Sequence, residues 1–228
     1  MKKRKHLTFA ILCVCALAVV AGTVYAFASE EVSAFFSAGL FFKSAKEEDT
    51  ADVTDSSKIL AKYNGTPITA STVEYQRNMN VLRSEEAAQN NTTDLDIINN
   101  IIKNMILLEE AERQGLAATD EEVEALVESA VYGYSIPEGK KMIDDFCSGA
   151  GITFEEYLEI YREQLPRTIA RQKLKDAVGK RYCEEHGLEF TKVNPPKEMV
   201  AAQEAYIEEL FEKNKDKIEY FLDDSAAS

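Results

Sequence analysis

Tryptophan is absent from the chain, histidine occurs only twice, and no cysteine, histidine or glycine falls in a recognised catalytic or metal-binding spacing. His6 lies in a basic N-terminal cluster, and His186 stands alone near an expected helix end, where capping or a dipole contact is its expected role. The chain contains no CxxC, HExxH, GxGxxG or GxxxxGK. Metal, dinucleotide and phosphate-loop chemistry therefore have no anchor, and no cofactor or metal is expected. Positive charge is also short: 26 Lys and Arg face 40 Asp and Glu, a formal net charge of −14. So acidic a chain lacks the basic surface that displaces counterions from a phosphate backbone, so nucleic acid is not an expected partner. Glu109-Glu110, Asp144-Asp145 and Glu184-Glu185 are adjacent carboxylates, but neighbours on a helix point apart, and 40 acids in 228 residues make such pairs commonplace. No catalytic residue is expected.

The chain does carry an export signal at its start. Lys2, Lys3, Arg4 and Lys5 precede a run from Leu7 to Ala28 without a single charge. A basic flank before an apolar run leaves the N-terminus in the cytoplasm and exports the remainder of the chain. Residues 1–28 are read as a signal peptide or an N-terminal transmembrane anchor. Cleavage would fall at Ala28-Ser29, after a small-x-small site, whereas 22 uncharged residues also suffice for a span of roughly 20. The retained anchor is the preferred reading, because Phe35, Phe36, Phe41 and Phe42 would then lie at the membrane interface. Without the four basic residues of the N-terminal cluster, 22 basic residues face 40 acidic ones, a net of −18. That surface keeps the exported part soluble.

Residues 29–57 read as a linker, since Lys43 to Ser57 is polar and aperiodic. The spacing then predicts a mostly α, multi-helix domain over 58–221, with an acidic tail at 222–228. Ile59, Ala61 and Tyr63 alternate up to Asn64-Gly65-Thr66-Pro67, a strand and its turn. Thr69 caps a helix reaching about Ser84. From Asp94, Leu95, Ile98, Ile101, Ile102, Met105, Leu108 and Ala111 recur at three and four, marking the core helix that Gly115 ends. Thr119-Asp120-Glu121-Glu122 and Thr153-Phe154-Glu155-Glu156 are capping boxes. The helix between them is expected to break at Gly149-Ala150-Gly151, and the long helix after them to kink at Pro166. A last helix from about Lys197 to Asn214 leads into the alternating Lys217 to Phe221. Two lone strands are unstable unpaired, so 58–63 should pair with 217–221. Cys147 and Cys183 sit at opposite ends of a helix of about 43 Å and are expected as free thiols.

The aromatic residues Tyr132, Tyr134, Phe146, Tyr157 and Tyr161 gather around one expected loop and the helices beside it. They are either core and boundary residues or the lining of an apolar groove able to hold extended, unfolded peptide.

The order of pieces resembles the N-terminal domain of the SurA and PrsA family of exported chaperones and foldases. The residues that carry the resemblance are Asn64-Gly65-Thr66-Pro67-Ile68-Thr69, the helix Ile101 to Gly115, Ala118 to Val123, and Phe154 to Leu158 with its helix to about Gly187. The closing Tyr206 to Leu210 and Lys217 to Phe221 resemble it too. Members often carry a parvulin prolyl-isomerase domain before the closing helix. Here only about Leu188 to Pro196 fills that place, too little for an enzyme domain. The resemblance implies an extracytoplasmic, ATP-independent, non-enzymatic chaperone-like domain whose partners are unfolded or newly translocated polypeptides. A dedicated interaction module gripping one envelope partner is the alternative, and a prolyl isomerase a third reading.

Overall fold

A computed structural model describes residues 35–40, 42–43, 58–83 and 92–222. The expected signal or anchor over 1–28 and the acidic residues beyond 222 lie outside the described residues. Among the described residues no helix is long and apolar enough to cross a membrane.

The domain is mostly helical, with a small antiparallel sheet. Strands β1 (Ile59–Tyr63) and β2 (Thr66–Thr69) form a hairpin, and β3 (Ile218–Tyr220) pairs with the other edge of β1, giving the order β2-β1-β3. The hairpin turn is Asn64-Gly65, with φ of 50° and 76°. Two consecutive positive φ values match the twist of the flanking strands, and Asn-Gly adopts them at little cost. The expected pairing of the two ends is present: Ala61 lies opposite Tyr220 and Tyr63 opposite Ile218. The second hairpin strand is a correction to the sequence reading, in which Pro67 marked the end of regular structure. Pro67 faces Lys62 in β2, an edge strand, where a residue without N–H costs no inward ladder bond.

Helix α1 (Ala70–Arg83) follows directly. The Thr69 hydroxyl accepts from the Thr72 N–H, and Arg77 forms an ion pair with Asp94 and donates to the Thr92 carbonyl, tying α1 to the start of α2. Helix α2 (Asp94–Arg113) is the central element. Its wide apolar face serves two cores. Ile97, Ile98, Ile101, Ile102 and Ile106 pack against Leu60, Ala61, Tyr63, Ile68 and Phe211, while Leu107 and Ala111 meet Ala170 and Leu174. Helices α3 (Asp120–Tyr134), α4 (Pro137–Ala150), α5 (Phe154–His186) and α6 (Lys197–Lys213) complete the fold.

Both expected capping boxes form, at Thr119–Glu122 and Thr153–Glu156, and a third stands at Thr93–Asp96. Gly115, Gly151 and Gly187 close α2, α4 and α5 at φ of 67–69°, where a side chain would strain the backbone. Helix α5 continues through Pro166 as one 33-residue element, about 50 Å long at 1.5 Å per residue. It packs on α3, α2 and α6. Cys147 and Cys183 are free and buried at its two ends.

Two further points revise the sequence reading. Gly149 and Ala150 do not break α4 but end inside it, with Gly151 as the left-handed cap. Residues 35–40 and 42–43, read as linker or membrane-interface chain, are helical, and they place Ala38 and Phe42 in a core with only 1% and 2% of their surface exposed.

Candidate functional site

The face built by α4, the start of α5 and the N-terminal helical residues is mostly aromatic, whereas the core around α2 is mostly aliphatic. Phe154, one turn before Tyr157 and two before Tyr161, opens α5, so all three rings share one side of the helix. Tyr134 stacks on Phe154 with centroids 3.7 Å apart, Phe154 on Tyr157 at 6.2 Å, and Tyr157 on Tyr161 at 6.1 Å. A branch leaves this ladder sideways. Phe146 meets Tyr157 edge-on at 5.9 Å, and Phe42 meets Phe146 at 5.8 Å. Offset and edge-on rings at such spacings attract beyond their buried area.

Four of the five aromatic residues singled out from the sequence are thus brought together, and Tyr132 is not among them. Burial divides the set differently. Phe146, Tyr157 and Tyr161 expose 4%, 5% and 2% of their surface. These three are interior rings in this structure, the core placement that the sequence held open beside the groove lining. Tyr134 is half-buried and held in place. Its hydroxyl donates to Asp144 at 2.8 Å and accepts from Lys140, whose ammonium also lies 4.7 Å above the ring. The hydrogen bonds from Lys140 and then Tyr134 hold the Asp144 carboxyl below its ordinary range. Tyr132 alone is open, at 70% exposure. It does not flank a loop, as expected from the sequence, because α3 continues to Tyr134. Exposed Val131 and Ile136 lie beside it along the chain, so the α3–α4 turn presents three apolar side chains to solvent.

Why the inner rings are covered is visible in two glycines. Gly39 faces α4 and Gly149 faces the N-terminal residues. A Cβ at Gly39 would overlap the Phe146 carbonyl oxygen and come within 2.6 Å of the Ala150 nitrogen. A Cβ at Gly149 would overlap the Phe36 carbonyl oxygen and lie 3.0 Å from the Leu40 nitrogen. The two backbones touch at this crossing, which only paired glycines permit. Ala38 and Phe42 then fill the space over Tyr75, Phe146, Cys147, Ala150 and Tyr157. Sequence reasoning missed Phe42, Phe154 and the glycine pair as parts of this site. The available signal was the small-residue runs Ser37-Ala38-Gly39 and Ser148-Gly149-Ala150, which suit close helix crossings as well as breaks.

The site holds no nucleophile paired with a base. The Cys147 thiol is pushed up to about 11, chiefly by burial and then by Asp144, Glu155 and Glu156, so at neutral pH it is a protonated, inert thiol. Among the described residues no group of three or more His, Cys, Asp or Glu could hold a metal ion. His186 Nδ1 lies 2.8 Å from the Tyr182 carbonyl oxygen, and its ring stacks on the Tyr182 ring, away from this face. What the arrangement can do is bury apolar chain.

One comparison with known proteins identifies a family. The SurA-like N-terminal domain family matches residues 2–175, which takes in the N-terminal helical residues, α1 to α4 and the first two-thirds of α5. The match does not extend to α6 and β3. No curated protein and no solved structure matches the chain.

Proposed function

Because the chain belongs to the SurA-like N-terminal domain family, we propose that it is an exported, ATP-independent, non-enzymatic chaperone-like domain that binds unfolded or newly translocated polypeptides. The single observation that carries this is the family match across residues 2–175, since that domain is the non-catalytic part of such proteins. Export rests on the basic cluster at Lys2 to Lys5 and the uncharged run behind it, and retention of that run would hold the domain at the membrane. Tyr132 and its neighbours Val131 and Ile136 are the first contact for a client, being apolar, exposed and adjacent. Tyr134 supports that turn through Phe154, Lys140 and Asp144. Affinity is weak and broad, because an extended client loses entropy on ordering.

Suppression of aggregation tests the proposal, with the full chain and several unrelated unfolded proteins. Protection that is broad, independent of ATP and saturable is expected. Tyr132→Ser should reduce it several-fold while changing stability by no more than about 0.5 kcal/mol, as for an exposed side chain without partners in a core. Absence of protection from a protein shown to be folded overturns the proposal. Protection confined to one envelope partner would replace it with the dedicated interaction module.

A further inference from the structure

We propose that the face of α4 around Gly149 is a helix-binding groove, occupied in this chain by its own residues 35–40 and 42–43, and that a client binds there by supplying a short apolar helix in their place. The inference rests on the chaperone reading and adds a second site to it, with a defined chemistry.

The resident segment shows what the groove accepts. It presents a residue without a side chain, Gly39, to the α4 backbone, and three positions later a phenyl ring, Phe42, to Phe146. Ala38 is buried beside them, whereas Leu40 is 45% exposed on the outer side. Residues 32–43 carry no acid and one base, Lys43. Asp144, Glu155 and Glu156 lie near Cys147 in the floor of the groove, Asp144 being paired with Lys140. The fitting partner is therefore a short apolar helix without acidic residues, with Gly at the crossing and an aromatic residue one turn on. An exported polypeptide of apolar, small-residue-rich sequence supplies such a helix.

The segment is placed to be exchanged. The polar stretch 44–57 separates it from β1, so its departure does not require the sheet to open. It is not woven into the β2-β1-β3 pairing. A segment carried on the same chain competes at an effective concentration on the order of millimolar, so a client helix added in trans competes poorly until the resident segment is weakened.

The two glycines allow the groove and its occupant to be altered separately. Gly39→Ala in the full chain puts a methyl into the α4 backbone and should release the segment, leaving the groove intact. Gly149→Ala should release the segment equally but fill the groove itself, and it raises the helix propensity of α4 rather than lowering it. The probe is a fluorescent peptide of residues 33–44, bound to the full chain in lipid nanodiscs, with empty discs as the blank. Hydrogen exchange over 35–43 reports release in each variant. The expected result is faster exchange in both variants, with peptide binding about tenfold tighter than wild type in Gly39→Ala and absent in Gly149→Ala. A peptide carrying Ala at position 39 should bind none of the three proteins. Equal peptide binding by the two variants, or unchanged exchange in both, overturns the proposal. Failure here is distinguishable from failure of the chaperone reading, because protection through Tyr132 is measured separately on a surface the segment does not cover.

Discussion

Two apolar cores of this domain are closed by opposite means. Around α2 the interior is mostly aliphatic, five isoleucines with Tyr63 and Phe211 against a sheet whose outer strand comes from the last described residues of the chain. Backbone hydrogen bonds lock that core: Asn64 donates to the Lys217 carbonyl and Phe221 to the Leu60 carbonyl. Around α4 the interior is aromatic, and its cover is a short helical segment seated through a glycine crossing. Pairing β1 with β3 makes the first core part of the global fold. On the proposal above, the second core opens while the first stays shut. The proposed chaperone role would use both, a frame and a place where the domain's own apolar surface is exchangeable.

The largest expected effect contrasts the two cores directly. Ile102 is fully buried in the aliphatic core, and Ile102→Ala should cost about 2–5 kcal/mol of unfolding free energy. Phe42 is a larger side chain, 2% exposed, and would ordinarily cost about as much or more. If the aromatic core opens locally, Phe42→Ala should cost less than half of the Ile102→Ala value in urea unfolding. Equal losses would mean that both cores belong to one cooperative unit.

A smaller effect sharpens the frame's side of the comparison. Glu110 on α2 accepts from Arg113, Gln114 and the Tyr206 hydroxyl of α6, and these bonds, Arg113 first, hold its carboxyl at about 2, against an ordinary 4.5. A depressed carboxyl stabilises the folded state above its ordinary value, and that contribution is lost as pH falls from about 4.5 to about 2. Glu110→Gln should remove that acid limb and cost about 1 kcal/mol at neutral pH, a modest figure because Arg113 is 70% exposed. Denaturant titrations at several pH values check it, and an unchanged acid limb would show that the α2–α6 contact does not depend on this charge.

A third effect has the opposite sign. Gln164, beside Tyr161 and Leu165 on α5, is fully buried with neither amide atom hydrogen-bonded to the protein. Such a group costs about 1–3 kcal/mol, so Gln164→Leu should raise the melting temperature by a few degrees. A lower melting temperature would show that the amide contributes to the α3–α5 interface.

How much was legible in advance divides along the same line. The frame is written in local signals. Thr119 and Thr153 with Glu three residues on, isoleucines at helical spacing, and Gly115 and Gly187 past helix ends each have one physical meaning, and each element stands where those signals place it. The strand Ile218–Tyr220 was legible because a lone β1 needs a partner. Strand β2 was not, because Pro67 reads as a stop unless its position at the sheet edge is known. The aromatic core was only half legible. Ring residues could be gathered from their spacing, but which face the interior depends on what covers them, and the cover comes from residues 35–40 and 42–43, more than a hundred positions away. Gly149 carried two meanings, break or crossing, and only the arrival of Gly39 decides between them.

Native-state hydrogen exchange, resolved along the whole chain with and without an unfolded client, tests the central claim most directly. The account predicts that amides of α2 exchange only through global unfolding. Those of residues 35–43, with the facing end of α4, should exchange through a smaller opening that client addition promotes. A single opening free energy for both regions, unchanged by client, would contradict it.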